Sequence, residues 1–322
     1  MSSVVPAERK LDYLSFTLGD HTSPREVFAL LGLKFQELGY GRYRYRNSAL
    51  AMAGGVSVFW NGAVEGMGVH VQISGAGCRL VEGLEGFTDW RDYVGGWLGL
   101  GAKFARFDVA LDDVAGSIKF ETVRDQVTSR TAMMRSCNTQ VIEATNRKGV
   151  FQTLYVGRRS SETMMRCYDK GMQLGEGKSW LRFEFEYKGK RAHAIAETFV
   201  SEGWDAAVGV ARSFIEFKDE THKTSDRTRQ RPAAWWVELI DASKHVLKIA
   251  RDAHASLIRS WCWLRRQVAP ILGVMMEHQV GDLGWVLELA DEGRTRFNER
   301  HRRMLQGEGE LPSLAAFAPG AC

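Results

Sequence analysis

The sequence of 322 residues is short of several things, and each shortage removes a class of protein. Cysteine occurs five times (Cys78, Cys137, Cys167, Cys262, Cys322), an odd and widely spaced set with no CxxC. Neither a disulfide framework nor a thiolate zinc site is indicated, and a reducing compartment fits. No apolar run approaches the roughly 18 residues of a membrane span, and the N-terminus lacks a hydrophobic signal core, so a cytoplasmic protein with no membrane partner is expected. The eight histidines include no HExxH and no His-hydrophobic-His pair, which disfavours a histidine-only metal site. Gly75-Ala-Gly77 lacks the third glycine of a dinucleotide loop, Leu80 standing there, and Gly177-Lys178-Ser179 lacks the first glycine of a P-loop, at Met172. There is no internal repeat and no low-complexity block.

Net charge is also small, +4, but unevenly placed: residues 147–191 hold 11 Lys/Arg against 5 Asp/Glu. A basic surface on a near-neutral protein suits a polyanion, although a salt-bridged face has the same composition. The length suits two domains. Residues 1–217 read as mixed α/β. Leu11–Thr17 is an expected strand. Ser23, Pro24 and Glu26 form a helix start with a capping box, and Val27, Leu30, Leu31, Phe35 and Leu38 share one face of a helix ending at Gly39. Further strands are expected at 43–45, 56–60 and 68–74, the last two as a hairpin, and at 104–112, 139–144, 153–156, 164–168 and 181–187. Helices are expected around Phe87–Leu98 and Glu121–Arg130. Strand runs without strict alternation predict an α+β fold. Residues 218–232 turn polar and read as a linker. Residues 233–310 read as a helical accessory domain, with 11 basic and 11 acidic residues, interrupted at Pro270, and 311–322 as a tail.

Alternate residues of a strand point to opposite sides of its sheet. Ala105, Phe107, Val109 and Leu111 therefore oppose Arg106, Asp108 and Asp112. Likewise Leu181, Phe183, Phe185 and Tyr187 oppose Arg182, Glu184 and Glu186; Met165 and Cys167 oppose Arg166, Tyr168 and Lys170; and Val71 opposes His70 and Gln72. If these strands share a sheet, one face packs on helices and the other presents His, Tyr, Arg, Lys and at least four carboxylates to solvent. Cross-strand salt bridges would produce this pattern. So would a site in which carboxylates hold a hard cation and nearby positive charge favours a tyrosine phenolate as nucleophile towards a phosphodiester.

Six segments in order carry a resemblance: Asp12-Tyr-Leu-Ser-Phe-Thr17, His70 to Arg79, Arg106-Phe-Asp-Val-Ala-Leu-Asp-Asp113, Thr153 to Ser161, Met165-Arg-Cys-Tyr-Asp-Lys-Gly171 and Leu181-Arg-Phe-Glu-Phe-Glu-Tyr-Lys-Gly-Lys190. Across residues 11–217 the sequence resembles the replication initiation factor (Rep_trans) family of rolling-circle plasmids and filamentous phages, distant relatives of the HUH endonucleases. The resemblance implies a ferredoxin-like or RRM-like antiparallel sheet, with helices on one face and a polar active-site face. It implies a metal-dependent endonuclease and strand transferase that nicks and rejoins single-stranded or hairpin origin DNA through a 5′-phosphotyrosine. On this chain Tyr168 would be the nucleophile, with Tyr155 the alternative, and Lys170 and Arg182 would neutralise phosphate charge. Asp108 and Glu186, then Glu184, Asp112 and His70, would hold Mg²⁺ or Mn²⁺. Arg79, Arg106, Arg158, Arg159 and Arg166 would grip DNA. A conjugative relaxase and a catalytically inactive DNA-binding regulator are the alternatives. The family implies a host helicase as partner, and the helical part suits a homodimer contact, partner recruitment or origin reading.

Overall fold

The computed structural model describes residues 7–146, 149–175, 177–221, 224, 226, 228–241, 264, 268–278, 284–297, 301–302 and 305. The chain adopts the α+β class, built on one antiparallel sheet of ten strands. In chain order the elements are β1 (Glu8–Leu18), α1 (Pro24–Leu31), β2 (Phe35–Leu38), β3 (Tyr45–Ala51), β4 (Val56–Gly62), β5 (Val69–Ile73), α2 (Gly75–Glu82) and α3 (Trp90–Gly99). β6 (Lys103–Asp112), α4 (Phe120–Thr128), β7 (Met133–Met134), β8 (Thr139–Asn146), β9 (Gly149–Val156), β10 (Thr163–Asp169) and α5 (Lys170–Leu174) follow. β11 (Leu181–Lys188), α6 (Gly189–Glu202), α7 (Trp204–Phe214), β12 (Ile215–Glu216) and α8 (Ala234–Ile240) complete the first of two compact units, which runs to Ile249. The strand order is β2-β3-β4-β5-β1-β6-β11-β10-β9-β8, and β7 pairs separately with β12.

The alternation works as expected on the apolar face. Leu14, Phe16, Val71, Phe107, Val109, Leu111, Met165, Phe183, Phe185 and Tyr187 are buried in one core with Val94 and Trp97 of α3 and Ile195 and Phe199 of α6. Two bulges modify it. In β6, Ser15 pairs with Arg106 but Phe16 with Phe104, so Ala105 is the extra residue: Phe104 joins the core and Ala105 faces solvent, the reverse of their places in a regular strand. In β1, Leu11 pairs with Val109 and Tyr13 with Asp108, leaving Asp12 as the extra residue.

The first helix has the expected capping box, with the Glu26 amide donating to Ser23 Oγ (3.2 Å) and the Ser23 amide to the Glu26 carboxylate (2.7 Å). It stops at Leu31 instead of Gly39, because Gly32 takes a left-handed conformation (φ 65°) and Phe35–Leu38 pairs with β3 as an edge strand. The Gly-rich stretch after β5 is a helix, α2, capped by Ser74, and not a turn. Gly55 and Gly77 meet back to back: a Cβ on Gly55 would lie 2.3 Å from the Gly77 amide nitrogen, so this approach requires glycine.

Residues 218–232 do not behave as a linker. Lys218 is buried, its Nζ donating to Glu216 Oε2 (2.8 Å) and Gln230 O (2.9 Å), and it bridges to Pro232. Phe217 packs on Trp236 (ring centroids 4.8 Å) and Trp235 (4.9 Å), so α8 belongs to the first unit and the polar run is a loop clipped shut at its base. The second unit is Ala250–Cys322. Its described helices are Ala269–His278 and Gly284–Thr295, and Pro270 stands where π-helical backbone at Val268 gives way to the first of them. The apolar faces expected around Val246 and Ile258 lie outside the described residues. Among the described residues no helix is long and apolar enough to cross a membrane.

Candidate active site

Strand register arranges the polar face in rows, each row made of residues directly opposite one another. One row runs Ile142, Thr153, Tyr168, Arg182, Asp112 and Glu8; the next runs Gln140, Tyr155, Arg166, Glu184 and Ala110; a third runs Met164, Glu186, Asp108 and Tyr13. Tyr168, Lys170 and Arg182 are therefore together, as are Asp108, Glu184 and Glu186. The bulge in β1 swings Asp12 towards the first row, where its carboxylate accepts from Arg182 Nη1 (2.7 Å), and stacks the Tyr13 ring 4.1 Å from the Arg106 guanidinium.

This face is not open to solvent. Asp108 and Asp112 are 0% exposed, Glu184 1%, Arg182 6% and Glu186 7%. Arginines cover and neutralise the carboxylates: Arg106 takes Asp108 (2.5–3.1 Å) and Glu186 (2.6 Å), Arg166 takes Glu184, and Arg182 takes both oxygens of Asp112 (2.7 Å each) as well as Asp12. Such burial is tolerable only because each charge meets an opposite charge in good geometry. Burial disfavours the Arg182 cation, but its hydrogen bonds to Asp112 and the charges of Asp12 and Asp112 more than reverse this and hold it protonated. Burial also pushes the Asp108 carboxyl up; Arg106 pulls it back, while Glu184 and Glu186 push the same way.

The expected metal ligands are thus the acidic half of an ion-pair lattice, of which Arg106 is a basic member. His70 is apart from the carboxylates. Gln72 donates to its Nε2 (3.3 Å), leaving Nδ1–H for Thr17 Oγ1 (2.8 Å), and its ring stacks on Tyr45 at 6.1 Å. Burial drops its pKa to about 4, so it is neutral near pH 7. Among the described residues no three His, Cys, Asp or Glu side chains form a group that could hold a metal ion. As they are arranged, the residues expected to bind a divalent cation do not fit one.

Beside the lattice opens a cleft of about 720 Å³ lined by Tyr168, Tyr155 and the cations Lys10, Arg79, Arg166, Lys170 and Arg182, with Asp12 its one acidic residue. Its other wall is the start of α2, at Ser74, Gly75 and Ala76. Sequence reasoning missed Lys10, Asp12 and this helix start; the bulge that admits Asp12 leaves no sequence signal, although Asp12 opens the first of the six segments. Arg79 is on α2, not after a turn, and donates to Leu11 O (2.6 Å). Arg158 and Arg159 line a separate pocket.

The Tyr168 hydroxyl donates to Glu184 Oε2 (3.3 Å), and Lys170 Nζ lies 5.8 Å from the ring centroid. The expected pull towards phenolate is outweighed: burial pushes the Tyr168 phenol above the ordinary tyrosine range and Glu184 adds to this, while Arg182 and Arg166 act in the opposite sense. Tyr168 is held as a neutral phenol bonded to a carboxylate.

An antiparallel sheet whose polar face opens into a cationic cleft around a tyrosine defines an α+β protein with a surface suited to a polyanion. The sequence pattern of the replication initiation factor family (Rep_trans) matches residues 102–288. The chain belongs to this family and is accordingly a DNA-binding replication protein. It is 21% identical over 281 residues to the Bacillus subtilis (strain 168) protein named "Putative DNA relaxase NicK", covering 78% of this chain and 75% of the relative. It is also similar in structure to a rolling circle replication initiator protein from Geobacillus stearothermophilus, with a TM-score of 0.65 and 26% identity over 73% of this chain and 96% of that one.

Proposed function

We propose that the chain initiates rolling-circle replication by nicking and rejoining a single strand of origin DNA through Tyr168. The observation that carries this reading is the Tyr168–Glu184 hydrogen bond beside a cleft lined by five cations and one carboxylate, a charge balance that suits a phosphate. Attack by the phenol oxygen forms the tyrosine–phosphorus bond and breaks the bond to the 3′ oxygen. The downstream strand is left as a 5′-phosphotyrosine and the upstream strand as a 3′-hydroxyl, which takes up a proton. Glu184 is the acceptor for the phenol proton, since the raised phenol pKa requires a base within reach. Arg182 is already saturated by two carboxylates, so the phosphate falls first to Lys170, which bonds the neutral Gln173, with Lys10 and Arg79, paired to Glu8 and Glu82, as further cations of the cleft wall. Rejoining is the reverse attack by a 3′-hydroxyl.

No step is assigned to a metal. A Mg²⁺ or Mn²⁺ ion approaching Asp108 and Glu186 has to displace Arg106, and metal dependence is read directly by the test. The DNA relaxase among the relatives favours the second reading, the same chemistry in conjugative transfer. A host helicase is proposed from the family, and a homodimer from the helical C-terminal part.

The test incubates the wild type, Tyr168→Phe and Tyr155→Phe with end-labelled single strands spanning the cognate origin, in Mn²⁺ or EDTA, and resolves covalent protein–DNA adducts on denaturing gels. The expected result is an adduct lost in Tyr168→Phe. Loss in Tyr155→Phe alone would move the nucleophile, and tight binding without adduct in every condition would leave a DNA-binding regulator.

A further inference from the structure

A second pocket adjoins the cleft, and Tyr155 lines both. It measures about 390 Å³, at the low end for small-ligand sites. Because Tyr155 is opposite Arg166 and Tyr168 lies two residues further along β10, the two tyrosines are diagonal neighbours on one face, a separation of about 7–8 Å. That is within one nucleotide's reach of a phosphate held at Tyr168.

The chemistry of the pocket differs from that of the cleft. Tyr155 offers a half-buried ring with the Arg159 guanidinium 5.9 Å from its centroid, and buried Met164 and half-exposed Ile142 supply apolar contact. Gln140, directly opposite Tyr155 on the edge strand, places an amide beside the ring, and Arg158 is anchored by its Nε on Asn138 Oδ1 (2.9 Å). Among the described residues no carboxylate lines the pocket. A flat ring, apolar flanks, an amide with donor and acceptor, and arginines at the rim are what a nucleobase on an anionic backbone requires; a stacked aromatic accepts the face of any base, while an amide discriminates its edge.

We propose that this pocket seats one unstacked base of the strand, next to the phosphate attacked by Tyr168, with Tyr155 as its stacking platform and Gln140 reading its edge. The proposal rests on the reading of Tyr168 as nucleophile for where the strand lies, but its test does not depend on cleavage. Full-length Tyr168→Phe protein in EDTA is titrated by fluorescence anisotropy with a labelled dT20 strand and with a 20-unit abasic strand of the same backbone charge. Tyr155→Ala in this background weakens dT20 binding about ten-fold and leaves abasic-strand binding within about two-fold, and Tyr155→Trp restores dT20 binding. Gln140→Ala, on the exposed edge strand, changes the ratio of affinities for dT20 and dA20. Equal losses on base-bearing and abasic strands, or no loss on either, would overturn the pocket's role. Failure to form a Tyr168 adduct, by contrast, would overturn only the nicking reaction.

Discussion

Around Tyr168, the polar face of the sheet gathers three arginines, five carboxylates and a cleft lined by five cations and one carboxylate. Around His70, some strands away on the same face, it gathers Tyr43, Tyr45 and Phe59 and one neutral imidazole. Both ends are written in the same alternation of apolar and polar residues. The difference comes from what covers them. At the first end buried charges must satisfy one another, and the cations that pair them line the cleft. At the second, aromatic rings exclude water, and the titratable group gives up its charge.

The comparison breaks most severely at Arg182. Arg182→Met strands Asp112 and Asp12 as buried or half-buried anions and is expected to lower unfolding stability by about 3–5 kcal/mol in urea titration, with Asp112→Asn in the same chain recovering part of it. Cutting the His70 end by Thr17→Val removes one neutral hydrogen bond and costs about 1 kcal/mol. Equal losses at the two ends would erase the distinction.

Proton linkage sharpens it next. The folded pKa of His70 is about 4, below the ordinary 6.5, so the unfolded chain takes up the proton first as pH falls. The stability from a neutral His70 is complete above about pH 6.5 and is lost as pH drops to about 4, roughly 3 kcal/mol in all. His70→Gln is expected to flatten that part of the stability profile, measured by denaturation across the same range.

The smallest effect lies in the cleft. Lys170 contributes one cation there, and Lys170→Ala is expected to reduce the slope of log affinity against log salt for single-stranded DNA by about 0.7, whatever the base sequence. A drop confined to one sequence would make Lys170 a base reader.

The apolar face, most of the long strands and the grouping of Tyr168 with Lys170 and Arg182 were legible in sequence, because period-two alternation is local and robust; β2, most of β3 and the two-residue strands β7 and β12 were not. What covers the polar face was not. Whether Glu184 meets an arginine depends on register between β10 and β11, and no single strand states its register. Asp12 entered the site through a bulge, and Phe104 entered the core through another, each shifting alternation by one residue. Glycine misled once: Gly32 ended a helix whose periodicity continues to Leu38. The polar composition of 218–232 signalled a linker, but Phe217, Trp235 and Trp236 hold its ends.

The position of β1 bears on how the chain is made. Leu14 pairs with Ile73 on one side and with Phe107 on the other, so the earliest of the sheet's strands to be synthesised sits among its central ones. During translation it must wait for β6 before its second edge is paired, with Leu14, Phe16 and Leu18 uncovered meanwhile. Such distant pairings slow folding and lengthen the exposure of adhesive strands. The nascent chain is therefore most vulnerable to aggregation before residue 112 has left the ribosome, and chaperone capture is expected to be greatest in that interval.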